Sequence, residues 1–171
     1  MNFYITSGTI DYLTKLKNKY LNENMLLLTG SEDDFQAVIL HETKHKTVFN
    51  HPRKYEVIDS IGSFEKATYV VMNNIPVTDE GKPLFEYQFK NRQRKIEHQP
   101  GFVAIRLLRP LSSNTYVILT LWENKRAYEN WKSSDSFLES HKKQTKSNEA
   151  KSIAIFAGLS YLTTYSIAEV D

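Results

Sequence analysis

The stretch Thr115–Trp131, TYVILTLWENKRAYENW, sets the pattern for this chain. Its first part is a run of β-branched and other apolar residues, which predicts a buried strand from Thr115 to Leu121. After the polar residues that follow, Ala127, Tyr128 and Trp131 recur at helical spacing, so a helix is expected from about Asn124. A strand that leads directly into an amphipathic helix is typical of an α+β fold.

The flanking segments extend this unit to the order β-α-β-β-α-β. Ala67 to Val77 predicts a strand and Leu84 to Ile96 an amphipathic helix. Phe102 to Leu108 predicts a strand that forms a hairpin with Thr115 to Leu121. Leu159 to Ile167 predicts the last strand. This order is the split βαβ, or ferredoxin-like, arrangement.

The first part of the chain reads as a related but incomplete α+β unit. It predicts a helix starting at Thr9 or Asp11, strands at Phe3–Ser7, Met25–Thr29, Phe35–His41 and Thr47–Phe49, and a helix Lys54–Ile61 stopped by Gly62. This order lacks the last strand of the cycle. The expected division is residues 1–64 and residues 65–171. Two such units would imitate a dimer within one chain, so a monomer is expected.

Composition excludes several classes of function. The 171 residues carry a formal net charge of +2, which is too small to argue for a nucleic-acid partner. The chain has no cysteine, which excludes disulfides, zinc–thiolate sites and iron–sulfur clusters. The sequence carries neither a secretory signal pattern nor an apolar run of the roughly 20 residues that span a bilayer. We expect a cytoplasmic protein without an integral membrane segment.

The segment HETKH, His41–His45, matches the H-E-x-x-H pattern of zinc proteases. In those enzymes both histidines lie on one face of a helix, and the glutamate acts as a base. Here the segment lies between two apolar runs that read as strands. A polar hairpin turn is therefore the better interpretation.

The helix predicted from Leu84 to Ile96 carries a group of basic residues: Lys90, Arg92, Arg94 and Lys95. The group is compatible with an anion site or with a solvated helix face. Its helical spacing, with Glu86 and Glu97 nearby, favours the solvated face.

Asn73 and Asn74 interrupt an otherwise apolar strand, where asparagine is disfavoured. Successive residues of a strand point to opposite faces, so one amide is expected to face the core or a pocket and the other to face away. A buried amide needs hydrogen-bond partners or a ligand. An asparagine that merely bonds to a nearby loop is the alternative.

Trp131 and His141 lie ten residues apart. On one straight helix they would point about 80° apart around the axis. The serines between them allow the chain to turn, because Ser136 and Glu139 have capping-box spacing and a second helix is expected to begin near Ser134. Both side chains could then line one cavity. A core tryptophan and a surface histidine are the plainer interpretation.

Several longer segments together resemble a known family. They are NNIPVTDEG from Asn73, EHQPGFVAIRLLRP from Glu97, and YVILTLWENKRAYENWKSSDSFLESHKK from Tyr116. From Ala67 to Val170 the chain resembles the antibiotic biosynthesis monooxygenase (ABM) superfamily, and within it the IsdG-type heme-degrading monooxygenases. With YITSGT and YEVIDSIG in its first part, the whole chain is similar to the HmoB-type members, which group with TRAP-type signal-transduction proteins.

The resemblance implies a ferredoxin-like unit of the dimeric α+β barrel type and a heme site. Heme would be both cofactor and substrate: oxygen and an external reductant, supplied through a reductase, would open the porphyrin and release iron. His141 would be the axial ligand of the iron, Trp131 would press the porphyrin out of plane, and Asn73 would donate a hydrogen bond on the opposite face. Asn74 is the alternative to Asn73 as the heme-binding amide.

Two other functions are compatible with the same resemblance. One is a non-enzymatic, TRAP-like signalling or stress-response protein on an ABM scaffold. The other is a cofactor-free ABM oxygenase that acts on an aromatic metabolite, although such an enzyme does not need a histidine placed as an iron ligand.

Overall fold

A computed structural model of the chain describes residues 1–30, 36–135, 137 and 155–168. The elements in the first half are β1 (Asn2–Thr9), α1 (Ile10–Lys19), β2 (Met25–Gly30), β3 (Gln36–Thr43) and β4 (Arg53–Ile61). Those in the second half are β5 (Tyr69–Pro76), α2 (Lys82–Lys90), a 3₁₀ helix (Lys95–His98), β6 (Phe102–Pro110), β7 (Thr115–Trp122), α3 (Lys125–Lys132) and β8 (Tyr161–Ile167).

The strands form one closed barrel in the order β1-β3-β2-β8-β5-β7-β6-β4, and every neighbouring pair is antiparallel. Each half contributes four adjacent strands, β4-β1-β3-β2 and β8-β5-β7-β6. When the strands of each half are counted from its own start, both halves have the order 4-1-3-2. The halves join edge to edge, through β4 with β6 and through β2 with β8.

The barrel interior is filled by alternate side chains from both halves. It includes Phe3, Ile5, Leu28 and Leu40 from the first half and Val70, Met72, Val117, Leu119 and Leu121 from the second. Because one core takes side chains from both halves, the expectation of a separate, incomplete first unit is wrong: the first half completes the barrel. The division at residues 64 and 65 and the monomeric state stay predictions.

An ion pair crosses this interior between the two halves. Arg106 Nε on β6 lies 2.7 Å from Glu42 Oε2 on β3. The same guanidinium donates to the backbone oxygens of Ile61 at 3.0 Å and Gly62 at 2.8 Å, where the chain passes from one half to the other. Gly62 has φ +81, and a Cβ there would lie 2.2 Å from Val103 O, so only glycine fits this turn.

The segment Lys54–Ile61, predicted as a helix, is strand β4. Its apolar residues looked helical because a β-bulge lies between Val57 and Asp59. Val57 faces the barrel interior, and the bulge puts the next two residues, Ile58 and Asp59, both on the outer side. The first half therefore has its fourth strand, and its described residues, 1–30 and 36–61, contain one helix and not two. Thr47–Phe49 is not a strand, and Phe49 is buried under α1.

The helices cover the outer face of the barrel. α1 packs on the first half, whereas α2 and α3 pack on the second, so the predicted β-α-β-β-α-β order of the second half is confirmed. α2 ends earlier than expected, at Lys90, and Arg94 (φ 56) leads into the 3₁₀ helix. In the described parts of the chain, no helix is long and apolar enough to cross a membrane.

Candidate functional site

The candidate site lies on the outer face of β5, between the areas covered by α3 and α2. Val70 and Met72 point into the barrel. Tyr69 and Val71 point outward beneath α3, and Ile75 points outward beneath α2. By the same alternation Asn73 belongs to the outer face, between Val71 and Ile75, and Asn74 to the inner face.

The side chain of Asn74 is buried and bonded to other groups of the protein. Asn74 is only 3% exposed. Its Nδ2 donates to Met72 O at 3.3 Å, Tyr161 O at 3.2 Å and Thr163 Oγ1 at 3.3 Å. These bonds satisfy the amide donor inside the barrel and tie β5 to β8. Asn74 therefore has no donor left for a ligand on the outer face.

Asn73 has a different environment. It is partly buried, and its partners in the sheet are Ile118 on β7 and Leu162 on β8. Leu162 is 49% exposed. Within the residues that the structure describes, the Asn73 amide makes no hydrogen bond. A polar group surrounded by apolar side chains, yet open on one side, is suited to receive a polar atom of a bound molecule.

Trp131 covers the same face from α3. The helix begins at Asn124, whose Oδ1 accepts from the Ala127 backbone N–H at 2.9 Å. Trp131 is 6% exposed and packs in a cluster with Val71, Trp122 and Tyr128. Burial raises the pKa of the Tyr128 hydroxyl in this cluster to about 12. Asn73 and Trp131 thus lie on the same side of the sheet. Val71, which belongs to the Trp131 cluster, is the outward-facing residue of β5 just before Asn73.

The chain turns after α3, as the serines predicted. Ser133 is the C-terminal cap of the helix. Ser134 Oγ accepts from the Phe137 backbone N–H at 3.1 Å, which is N-cap geometry. The Phe137 ring then meets the Trp131 ring edge to face, with centroids 5.6 Å apart. His141, and Lys142 and Lys143 after it, lie outside the described residues, so its assignment as an iron ligand stays a prediction.

The two histidines of HETKH are not arranged as a pair of ligands. His41 is fully buried on β3, and its Nε2 lies 2.8 Å from Glu23 Oε2. His45 is exposed in the turn that follows, with its backbone N–H bonded to Thr43 Oγ1. In the part of the chain that is described, no three His, Asp or Glu residues form a group that could hold a metal ion.

The basic residues at the end of α2 and just after it mainly form ion pairs and packing contacts. Arg92 is paired with Asp59 at 2.7 Å and with Glu97 at 2.5 Å, and its guanidinium lies 4.1 Å from the centroid of the Phe89 ring. Lys90 is exposed. Arg92 therefore braces α2 against β4, and the expected solvated face holds for Lys90 but not for Arg92.

A charged cluster that the sequence did not suggest lines a cleft of about 430 Å³ between α2 and the β6–β7 hairpin. Arg109 donates to the Glu86 carboxylate from Nε at 2.9 Å and from Nη2 at 2.5 Å, and the buried Tyr116 hydroxyl donates to the same carboxylate. The hydrogen bonds from Arg109 hold the pKa of Glu86 below its ordinary value. Burial, and then Glu86, raises the pKa of Tyr116. Each charge is matched by a partner, so the cluster is a structural brace.

Comparisons with known proteins agree with this fold. Residues 68–143 match the family model for antibiotic biosynthesis monooxygenase. Signal transduction protein TRAP from Staphylococcus aureus is 31% identical over 134 residues, which are 78% of each chain. A heme-degrading monooxygenase from Listeria monocytogenes is 27% identical over 131 residues, which are 77% of each chain.

Two solved structures share the whole architecture. The structure of a major regulator of staphylococcal pathogenesis matches with a TM-score of 0.83 and 27% identity, over 99% of this chain and 100% of that one. The heme-degrading enzyme LmHde from Listeria monocytogenes matches with a TM-score of 0.72 and 24% identity, over 98% and 100%. The fold is thus shared by proteins described as regulators and as enzymes.

Proposed function

We propose, from the premise that this chain belongs to the antibiotic biosynthesis monooxygenase family, that it is a heme-degrading monooxygenase. It would bind heme on the outer face of β5 and open the porphyrin with oxygen and electrons from an external reductase, releasing iron. The observation that carries the proposal is the Asn73 amide, which has no hydrogen-bond partner among the described residues and lies on the same apolar face as Trp131.

The side chains of this face fit a large, flat, apolar ligand with a polar centre. Val71, Ile118 and Leu162 offer apolar surface, and Asn73 offers one amide donor among them. Trp131 forms the wall on the α3 side. Bound heme supplies the iron that activates oxygen and the ring that is cleaved.

Each residue then has a role of its own. The Asn73 Nδ2 would donate a hydrogen bond to a polar atom of the bound molecule. The Trp131 indole would form one wall of the space that the porphyrin takes. His141, ten residues beyond Trp131, supplies a neutral imidazole, which is a good iron ligand. No dinucleotide fingerprint occurs in the sequence, so the electrons come from another protein.

A hemin titration of the purified chain tests the binding step. The proposal predicts a saturable Soret band for the wild-type protein, and a shifted band with weaker binding for His141→Ala. His45→Ala is the matched control, because His45 is exposed in a turn of the first half. An unchanged spectrum and affinity in His141→Ala would remove the axial assignment.

The second candidate function is a non-enzymatic regulatory role. The relatives described as signal transduction protein TRAP favour it. In that case Trp131 is a core residue only, which its 6% exposure accommodates. A hemin spectrum that the protein leaves unchanged at every concentration would favour this role over the enzyme.

A further inference from the structure

A second polar side chain lies beside Asn73 on the outer face. Thr120 on β7 is opposite Val71, while Ile118 is opposite Asn73. Thr120 and Asn73 are therefore diagonal neighbours across the β5–β7 ladder, with Cβ atoms roughly 7 Å apart. Thr120 shares its face with Trp122 and Ile118, and it is 7% exposed.

A hydrogen bond holds the Thr120 hydroxyl oxygen in place. The indole N–H of Trp122, a fully buried residue, donates to Thr120 Oγ1 at 3.0 Å. A hydroxyl has one hydrogen to donate and two lone pairs, and this bond uses a lone pair. The hydrogen is left over, and among the described residues no acceptor receives it. A buried donor without an acceptor is costly to the fold and calls for an explanation.

Two unsatisfied donors thus occupy neighbouring positions on a face that is otherwise apolar. Other buried polar groups of the second half are paired: Asn74 has three partners, and Glu86 accepts from both Arg109 and Tyr116. Arg92 Nε is a further buried donor without a partner among the described residues, but it lies between α2 and β4 and not on this face. One polar atom of a bound molecule, seated between the two side chains, would satisfy both.

We propose that Thr120 is a second hydrogen-bond donor of the site and that Trp122 is the residue that positions it. The inference rests on the proposed heme-degrading function, in which the shared acceptor is the small ligand bound to the iron on the Asn73 side. The sequence suggested only that Trp122 ends a core strand. In this proposal its indole N–H also gives it a positioning role at the site.

The test uses azide as the probe, because it binds ferric heme and accepts a hydrogen bond. Hemin is titrated first and azide second, with wild type and the variants Thr120→Val, Thr120→Ala and Thr120→Ser. Thr6→Val is the matched control, since Thr6 is a partly buried threonine on the first strand of the other half. A urea midpoint for each variant reports whether it is folded.

Loss of one hydrogen bond is expected to weaken azide binding roughly 3- to 10-fold in Thr120→Val and Thr120→Ala. Thr120→Ser keeps the donor, so its azide affinity stays within about twofold of wild type, as does that of Thr6→Val, and hemin affinity stays the same in all of them. If azide affinity changes with the size of the side chain and not with the loss of the hydroxyl, the role of Thr120 is overturned while the proposed function is not. A wild-type protein without a Soret band overturns this role and the proposed function together.

Discussion

Asn73 and Asn74 are adjacent in the chain and have opposite environments: Asn74 is bonded inside the barrel, and Asn73 has no described partner on the outer face. The amide of Asn74 donates to Met72 on its own strand and to Tyr161 and Thr163 across the β5–β8 pair. One asparagine therefore serves the fold, and the other is free to serve a ligand.

Alanine substitution is expected to separate these two roles. Asn74→Ala leaves buried acceptors unpaired and should lower the free energy of unfolding by about 1–3 kcal/mol. Asn73→Ala removes no described bond and should change it by less than about 0.5 kcal/mol. Urea unfolding followed by circular dichroism measures both. Equal losses in the two variants would mean that Asn73 is also a structural residue.

The ion pair inside the barrel gives a second prediction. Glu42→Gln removes the negative charge that matches the buried Arg106 guanidinium and leaves it neutral acceptors only, so a loss of about 3–5 kcal/mol is expected. Glu56→Gln is the control, because the Glu56 side chain is 49% exposed where it meets Arg109. Chemical denaturation measures the free energy of unfolding of both variants. A Glu42→Gln protein as stable as the control would show that the ion pair does not stabilise the contact between the halves.

The Glu86 carboxylate predicts a pH dependence of stability. Hydrogen bonds from Arg109, with a further one from Tyr116, lower its folded-state pKa below the ordinary value of 4.5. A lowered pKa stabilises the fold above the unfolded-state pKa, and this stability is lost as the pH falls through the folded-state pKa. Glu86→Gln should therefore be less stable than wild type at pH 7, and the difference should shrink below pH 4.5.

Denaturation curves at pH 7 and at a pH below 4.5 measure that difference. Glu80→Gln serves as the control, since Glu80 is an exposed carboxylate just before the same helix and is expected to alter the curve little. A difference between wild type and Glu86→Gln that is the same at both pH values would show that the carboxylate does not carry the effect.

Trp131 gives a prediction that bears on both candidate functions. Trp131→Ala opens a cavity in the cluster beneath α3 and should cost about 3–5 kcal/mol, whereas Trp131→Phe fills part of the space and should cost less. If the proposed function holds, Trp131→Phe would also slow hemin breakdown, because a smaller ring would form less of the wall that positions the heme. A folded Trp131→Phe protein with wild-type turnover would leave Trp131 a packing residue only.

The sequence predicted the second half of the barrel well, because its strands and helices have regular apolar spacing. It failed at β4, where the bulge at Val57 and Asp59 breaks the alternation that identifies a strand. That error hid the fourth strand of the first half and with it the closure of the barrel. Closure depends on pairings such as Leu28 with Ile167, which are far apart in the chain.

The candidate site was predictable only in part. Strand alternation implied that Asn73 and Asn74 face opposite sides, but not which side holds α3. The resemblance to heme-degrading monooxygenases singled out Asn73 as the heme-binding amide, and that assignment stays a prediction. Thr120 had no signal of its own, because its significance depends on a hydrogen bond from Trp122 and on the diagonal pairing with Asn73.

The most direct measurement of the central claim is the fate of the Soret band of the hemin complex under turnover. Wild-type protein loaded with hemin is supplied with ascorbate in air, with catalase present to remove free peroxide, and iron release is followed with a ferrous chelator. We predict that the Soret band decays while chelated iron rises in step, and that Asn73→Ala, still folded and loaded with hemin, is much slower. A wild-type complex that keeps its Soret band and releases no iron would contradict the account.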